Sequence, residues 1–170
     1  VTRTLLTVLA GLAFAAPVRG DWPMDRGDAA RSGYTAEALP AGMSPRWTAR
    51  EPHPPAPAWP SIDRMPFDRA YRIVAAGATL YYGTSSDDRV VARDAASGRL
   101  VWSVFLDAPV RFAPAVWQDR LFVACDDGFL YCLRAADGHV MWKVRGGPRP
   151  DMLLGNDRME IGRASCRERV

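Results

Sequence analysis

The chain has 170 residues, with 22 basic and 19 acidic side chains, a net charge of +3, two histidines and three cysteines. The first twenty residues hold two Arg and no acid, and the last eleven hold three Arg and two Glu, which leaves 17 charges of each sign in residues 21–159. A neutral middle with one lysine, Lys143, argues against nucleic acid or an anionic membrane surface as partner.

Residues 1–20, VTRTLLTVLAGLAFAAPVRG, have the order of a secretory signal peptide: Arg3, a short apolar run from Leu5 to Ala16, and Ala13-Phe14-Ala15 as a small-x-small cleavage site. The apolar run is too short to span a bilayer comfortably, and no later segment is apolar enough to try. A periplasmic or secreted bacterial protein is therefore expected.

Residues 21–70 form an arm without regular pattern. EPHPPAPAWPSIDRMP packs six prolines into sixteen residues, and proline both fixes φ and removes a donor, so an extended surface segment is expected. Trp22, Trp47 and Trp59 are costly to leave in water, which predicts that the arm is ordered against something.

Residues 71–159 change character. RIVAA, TLYYG, RVVAR and LVWSVF are short runs rich in β-branched and aromatic residues, separated by Gly77-Ala78, Ser85–Asp88 and Ala95–Gly98. The order recurs as FAPAVW, RLFVAC, FLYCLR and VMWKV, broken at Gln118-Asp119, Asp126–Gly128 and Ala135–Gly138. Such runs with turn residues between them are meandering strands. The copies align Leu80 with Leu121, Gly98 with Gly138 and Trp102 with Trp142, with one residue lost in the Ser85–Asp88 turn. A unit of about forty residues with four strands is a β-propeller blade, and it repeats because one blade alone leaves both faces wet. The expected fold is all-β: a propeller fragment of about two blades. Gly98 and Gly138 are expected at positive φ, and Trp102 and Trp142 between one blade and the next.

Cys125 and Cys132 are the cysteines of this region. A two-residue turn at Asp127-Gly128 would set Cys125 opposite Leu130 and Cys132 opposite Val123, diagonal neighbours roughly 7–8 Å apart. A disulfide wants about 5.5–6 Å between α-carbons, so two buried free thiols are expected. The third cysteine, Cys166, lies in residues 160–170. From Ile161 on, IGRASCRERV resembles the in-frame translation of a common sequencing adapter. Residues 160–170 are accordingly read as an artefact tail on an N-terminal fragment.

Ala92-Arg93-Asp94-Ala95-Ala96-Ser97-Gly98-Arg99-Leu100-Val101-Trp102 closely resembles the tryptophan-docking motif of quinoprotein-like, or PQQ-like, propellers, A-x-D-x-x-T-G-x-x-x-W. Asp94, Gly98 and Trp102 carry it, with Ser97 for Thr. The second copy keeps Gly138 and Trp142 but has Cys132, Arg134 and Asp137 at the other motif positions. Asp21-Trp22-Pro23 followed by Arg26-Gly27 also resembles the start of many exported members.

The family implies two functions. One is a non-catalytic binding or scaffold propeller of the envelope, as in the lipoprotein that helps assemble outer-membrane barrels, with a protein or other ligand held at the propeller mouth. The other is an alcohol or sugar dehydrogenase with pyrroloquinoline quinone (PQQ) and Ca²⁺ at the axis and an Asp as base, its active site lying in blades that this fragment lacks. The adjacent Cys-Cys pair of many such alcohol dehydrogenases is absent, so the first is preferred and no catalytic or metal-binding residue is assigned. PQQ and calcium are implied only if the full-length protein is a dehydrogenase.

Asp87-Asp88 and Asp126-Asp127 have the composition of Ca²⁺ ligands, but acids in turns more often bond their own backbone, and that is the expectation here. His53 and His139 lack a ligand partner at useful spacing and are read as surface residues. Arg26-Gly27-Asp28 is read as a chance match to an adhesion tripeptide.

Overall fold

The computed structural model describes residues 21–58 and 68–146 and two further strands, 152–155 and 158–161. The signal-peptide reading, Trp59 and nearly all of the tail read as adapter lie outside the described residues.

Two antiparallel meanders carry the fold. The first sheet is β1 (Ile73–Ala76), β2 (Thr79–Gly83), β3 (Arg89–Asp94) and β4 (Leu100–Phe105), in chain order. The second is β5 (Ala115–Trp117), β6 (Arg120–Ala124), β7 (Phe129–Arg134) and β8 (Val140–Arg145), again in order. A further antiparallel pair follows, β9 (Met152–Gly155) with β10 (Arg158–Ile161), in which Gly155 stands opposite Arg158. No helix among the described residues is long and apolar enough to cross a membrane.

The repeat extends to irregularities. In the first sheet the register slips after Ala92–Trp102, so that Arg93 faces Leu100; in the second it slips after Cys132–Trp142, so that Leu133 faces Val140. Both bulges lie one residue before the Trp, where they sharpen the local twist. The first tight turn of each sheet needs a left-handed residue, met by Gly77 (φ 57°) in one and by Gln118 (φ 56°) in the other.

The core lies between the sheets. Val74, Tyr81, Val90 and Ala92 of the first meet Leu121, Val123, Tyr131 and Leu133 of the second, with Leu106 and Val110 of the connecting segment closing one end. Gly83 is required there: a β-carbon on it would come 2.0 Å from Val110 Cγ1. At the narrow edge, Trp22 exchanges backbone hydrogen bonds with Ala75 of β1 (2.8 and 2.9 Å), and Val116 N of β5 donates to Pro23 O (2.7 Å). Asp21 Oδ1 accepts from Gly77 N (2.7 Å). Asp21–Pro23 thus clips the inner edges of both sheets together, and this part of the arm is ordered.

The β6–β7 hairpin corrects one expectation. Gly128 N donates to Cys125 O and Cys125 N to Phe129 O, so the loop has three residues, with Gly128 at φ 80°. The register then pairs Val123 with Tyr131 and Phe122 with Cys132, not Val123 with Cys132. Shifting register by one residue moves a side chain to the other face. Cys125 therefore joins the inter-sheet core beside Tyr131, while Cys132 lies on the opposite face opposite Trp142. Both are buried and free.

Candidate functional site

The site is the contact between one sheet and the next. In the turn after β3, Asp94 Oδ1 accepts from Ser97 N (2.7 Å), and Gly98 N donates to Asp94 O (2.8 Å). The Ser97 hydroxyl and amide hold the Asp94 carboxyl below its usual range. Gly98 has φ 71° and Gly138 φ 74°. In the second copy the acid has moved: Arg134 stands where Asp94 does and pairs with Asp137 (2.9 Å), and Asp137 Oδ1 takes His139 N (3.0 Å).

Trp102, on β4, reaches across to this second turn. A β-carbon at Gly138 would lie 2.7 Å from Trp102 Cε3, so only glycine lets the indole sit there. Trp102 Nε1 donates to Ala135 O (3.0 Å), and Tyr81 OH donates to the same carbonyl (3.2 Å). Trp142 has Phe122 at 6.0 Å between ring centroids and stays 40% exposed.

Trp47 repeats the arrangement one step earlier. A β-carbon at Gly98 would lie 2.5 Å from Trp47 Cε3, and Trp47 Nε1 donates to Ala95 O (3.0 Å). The arm thus supplies, against the first sheet, the indole that β4 supplies against the second. Beside Trp47 is a cavity of about 420 Å³, lined among others by Glu51, His53, Tyr71, Tyr82 and Arg93. It lies on the sheet face where Ala95 O lacks a counterpart of the Tyr81 hydroxyl among the described residues.

Ion pairs fasten the arm beside that cavity. Glu51 accepts from Arg93 (2.8 Å), from Arg89 (3.1 Å) and from Tyr82 OH. Burial raises the Glu51 pKa, but the hydrogen bonds and the two guanidinium charges outweigh it and leave the carboxyl below its usual value. Burial, and then the hydrogen bond to Glu51, push the Tyr82 hydroxyl up to about 12. Further along, Arg111 is buried with Asp68 (2.8 Å), Asp126 (2.5 Å) and Ala56 O (2.6 Å), and Asp68 also caps Ala58 N (2.7 Å).

Several candidate residues have partners beyond their own turns. Asp87 pairs with His53 Nδ1 (2.6 Å) and Arg89 (2.8 Å), and Asp126 with Arg111, so these two acids are long-range fasteners rather than simple turn residues. Asp127 does serve its turn, accepting from Phe129 N (2.9 Å). His53 has an exposed side chain yet is anchored to Asp87; His139 is exposed. Arg26, Gly27 and Asp28 lie in a turn, with Gly27 under the Trp22 ring and Asp28 taking Ser32 N (3.0 Å). No three of His, Cys, Asp and Glu gather as a metal site among the described residues.

Sequence reasoning missed the pairing of Trp47 with Gly98 and all of Glu51, Tyr82, Arg93, Asp68 and Arg111. The one trace was Gly42, five residues before Trp47, one longer than the spacing from Gly98 to Trp102.

Solved structures similar to the chain include BamB from Moraxella catarrhalis (22% identity, TM-score 0.41, covering 45% of this chain and 23% of that one). Quinohemoprotein alcohol dehydrogenase from Comamonas testosteroni follows (18%, TM-score 0.48, 76% and 20%), as does a europium-containing methanol dehydrogenase (18%, TM-score 0.40, 45% and 15%). The chain therefore spans less than a quarter of the length of these structures. No curated protein matches it. A family model described as outer membrane protein assembly factor BamB matches residues 44–165. With most of its length so matched, and with two four-stranded meanders stacked face to face, the chain belongs to this family of PQQ-like propeller repeat proteins.

Proposed function

We propose that the chain is part of an exported propeller of the bacterial envelope, periplasmic or secreted, that works as a non-catalytic binding or scaffold module for a protein or other ligand. The observation that carries this reading is how the ionisable groups around the arm are used. Glu51, Arg89, Arg93, Asp87 and His53 form one network, and Asp68, Arg111 and Asp126 another. Each holds segments of backbone together, which is architecture rather than chemistry. In the same reading, the indole-on-glycine contacts of Trp47 and Trp102 are the fasteners between successive blades, and Trp142 is a fastener of the same kind.

The test is direct. Calorimetric titration of the full-length protein, of which this chain is part, with pyrroloquinoline quinone in calcium buffer, followed by a dye-reduction assay with simple alcohols and sugars, should give neither binding heat nor turnover. Stoichiometric quinone binding would overturn the scaffold reading in favour of a dehydrogenase.

A further inference from the structure

The outer strands of the two sheets differ in a way the repeat does not require. In antiparallel pairing, backbone groups of alternate residues face the neighbouring strand, and those between face away. Leu106 N donates to Asp88 O (2.8 Å), continuing the register that pairs Val104 with Val90 and Trp102 with Ala92. Those residues face β3, so the N–H and C=O groups of Ser103 and Phe105 point out along the outer edge of β4, which is free of any further strand among the described residues. The same count from Gly146 N to Gly128 O (2.8 Å) points Lys143 and Arg145 outward on β8.

These are equivalent positions, because Trp102 aligns with Trp142. On β8 they carry Lys and Arg; on β4 they carry Ser and Phe. Charged residues on an edge strand deter pairing with another strand, whereas an uncharged, β-prone edge is a template for it. β4 reads LVWSVF, without a charge, and Leu100, Val101 and Phe105 are 46%, 48% and 72% exposed. Arg89 lies over the Phe105 ring at 5.9 Å but is committed to Glu51 and Asp87. One outer edge is thus guarded and the other is left open.

We propose that the free edge of β4 is a strand-addition site, which takes an extended, uncharged protein segment with apolar residues at alternate positions, hydrogen-bonded to the backbone of Ser103 and Phe105. This rests on the reading of the protein as a binding module and names the surface and the kind of partner.

The experiment is residue-resolved hydrogen exchange on the full chain, with and without a blocked heptapeptide alternating threonine and valine. The peptide should slow exchange at Ser103 and Phe105 by about tenfold and leave Lys143 and Arg145 unchanged. Ser103→Lys and Phe105→Lys, both at exposed side chains, should abolish the protection without moving the melting curve. The reciprocal change on the other sheet, Lys143→Ser with Arg145→Phe, should create protection at β8. It keeps the test decisive if a β4 variant folds poorly. No protection at saturating peptide, or protection that survives both lysine variants, overturns the proposal. Protection confined to loops overturns the edge assignment while leaving the binding-module reading intact. Quinone binding in the calorimeter sinks that reading whatever the edge does.

Discussion

The indole of Trp47 lies so close to Gly98 that a β-carbon there would come within 2.5 Å of the ring. Gly98→Ala therefore meets two costs: a left-handed backbone, worth about 1–2 kcal/mol, and displacement of the indole. Gly77 is also left-handed, at φ 57°, but has open space where its β-carbon would be. Gly77→Ala should show the backbone cost alone. Denaturant unfolding of the two variants should rank Gly98→Ala as clearly the more destabilised; equal losses would mean that the arm is not seated on the turn.

The three tryptophans of the series should rank by what covers them. Trp102 and Trp47 are partly buried and hydrogen-bonded through Nε1, so their replacement by Ala should cost about 2–3 kcal/mol, below the full cost of a buried indole. Trp142 is 40% exposed, and Trp142→Ala should cost under about 1 kcal/mol. Equilibrium unfolding of the single variants checks the order.

The repeat made much of this fold legible. Turn residues at a fixed spacing and paired hydrophobic runs are local signals, and they located both meanders and the one-residue difference between their loops. The Trp47–Gly98 contact joins residues 51 apart across a proline-rich segment that has no strand period. Glu51 and Arg93 are 42 apart, and nothing local marks them as partners. The Cys125 hairpin was misread because Asp-Gly serves a two-residue turn and also the end of a three-residue loop, where Gly128 supplies the left-handed backbone. One residue of difference exchanged the faces.

Acid should weaken the arm's attachment in a defined window. The Glu51 carboxyl is held below its ordinary value of 4.5 in the folded protein. A depressed acid contributes stability that is complete above its unfolded pKa and disappears as pH falls through the folded one. The stability gap between wild type and Glu51→Gln should hold constant from neutrality to about pH 5 and shrink below the 4.5 of the free group. At the other extreme, Tyr82 is raised from 10.0 to about 12, so its contribution is complete below pH 10 and is lost as pH rises toward 12. Thermal melts across both ranges, compared with Tyr82→Phe, test this.

Arg111 has 3% of its side chain exposed and is shared by Asp68 and Asp126. Arg111→Leu strands the equally buried Asp68 without its cation and should cost about 3–5 kcal/mol. Pairing it with Asp68→Leu should recover a large part. A double-mutant cycle by denaturant unfolding measures the coupling; additive losses would show that the pair does not act as a unit.

The two thiols should behave as separate, shielded groups. Cys125 is pushed up to about 12 by burial, and Cys132 lies on the opposite sheet face. Thiol-specific labelling of the native protein should be slow at both positions and become complete on unfolding. Mild oxidation should leave the mass consistent with no Cys125–Cys132 link.

The clip formed by Asp21–Pro23 makes one short piece of backbone a shared splint. Trp22 exchanges its hydrogen bonds with β1 and Pro23 O takes one from β5, so any strain or cut introduced at these three residues is felt by both sheets at once.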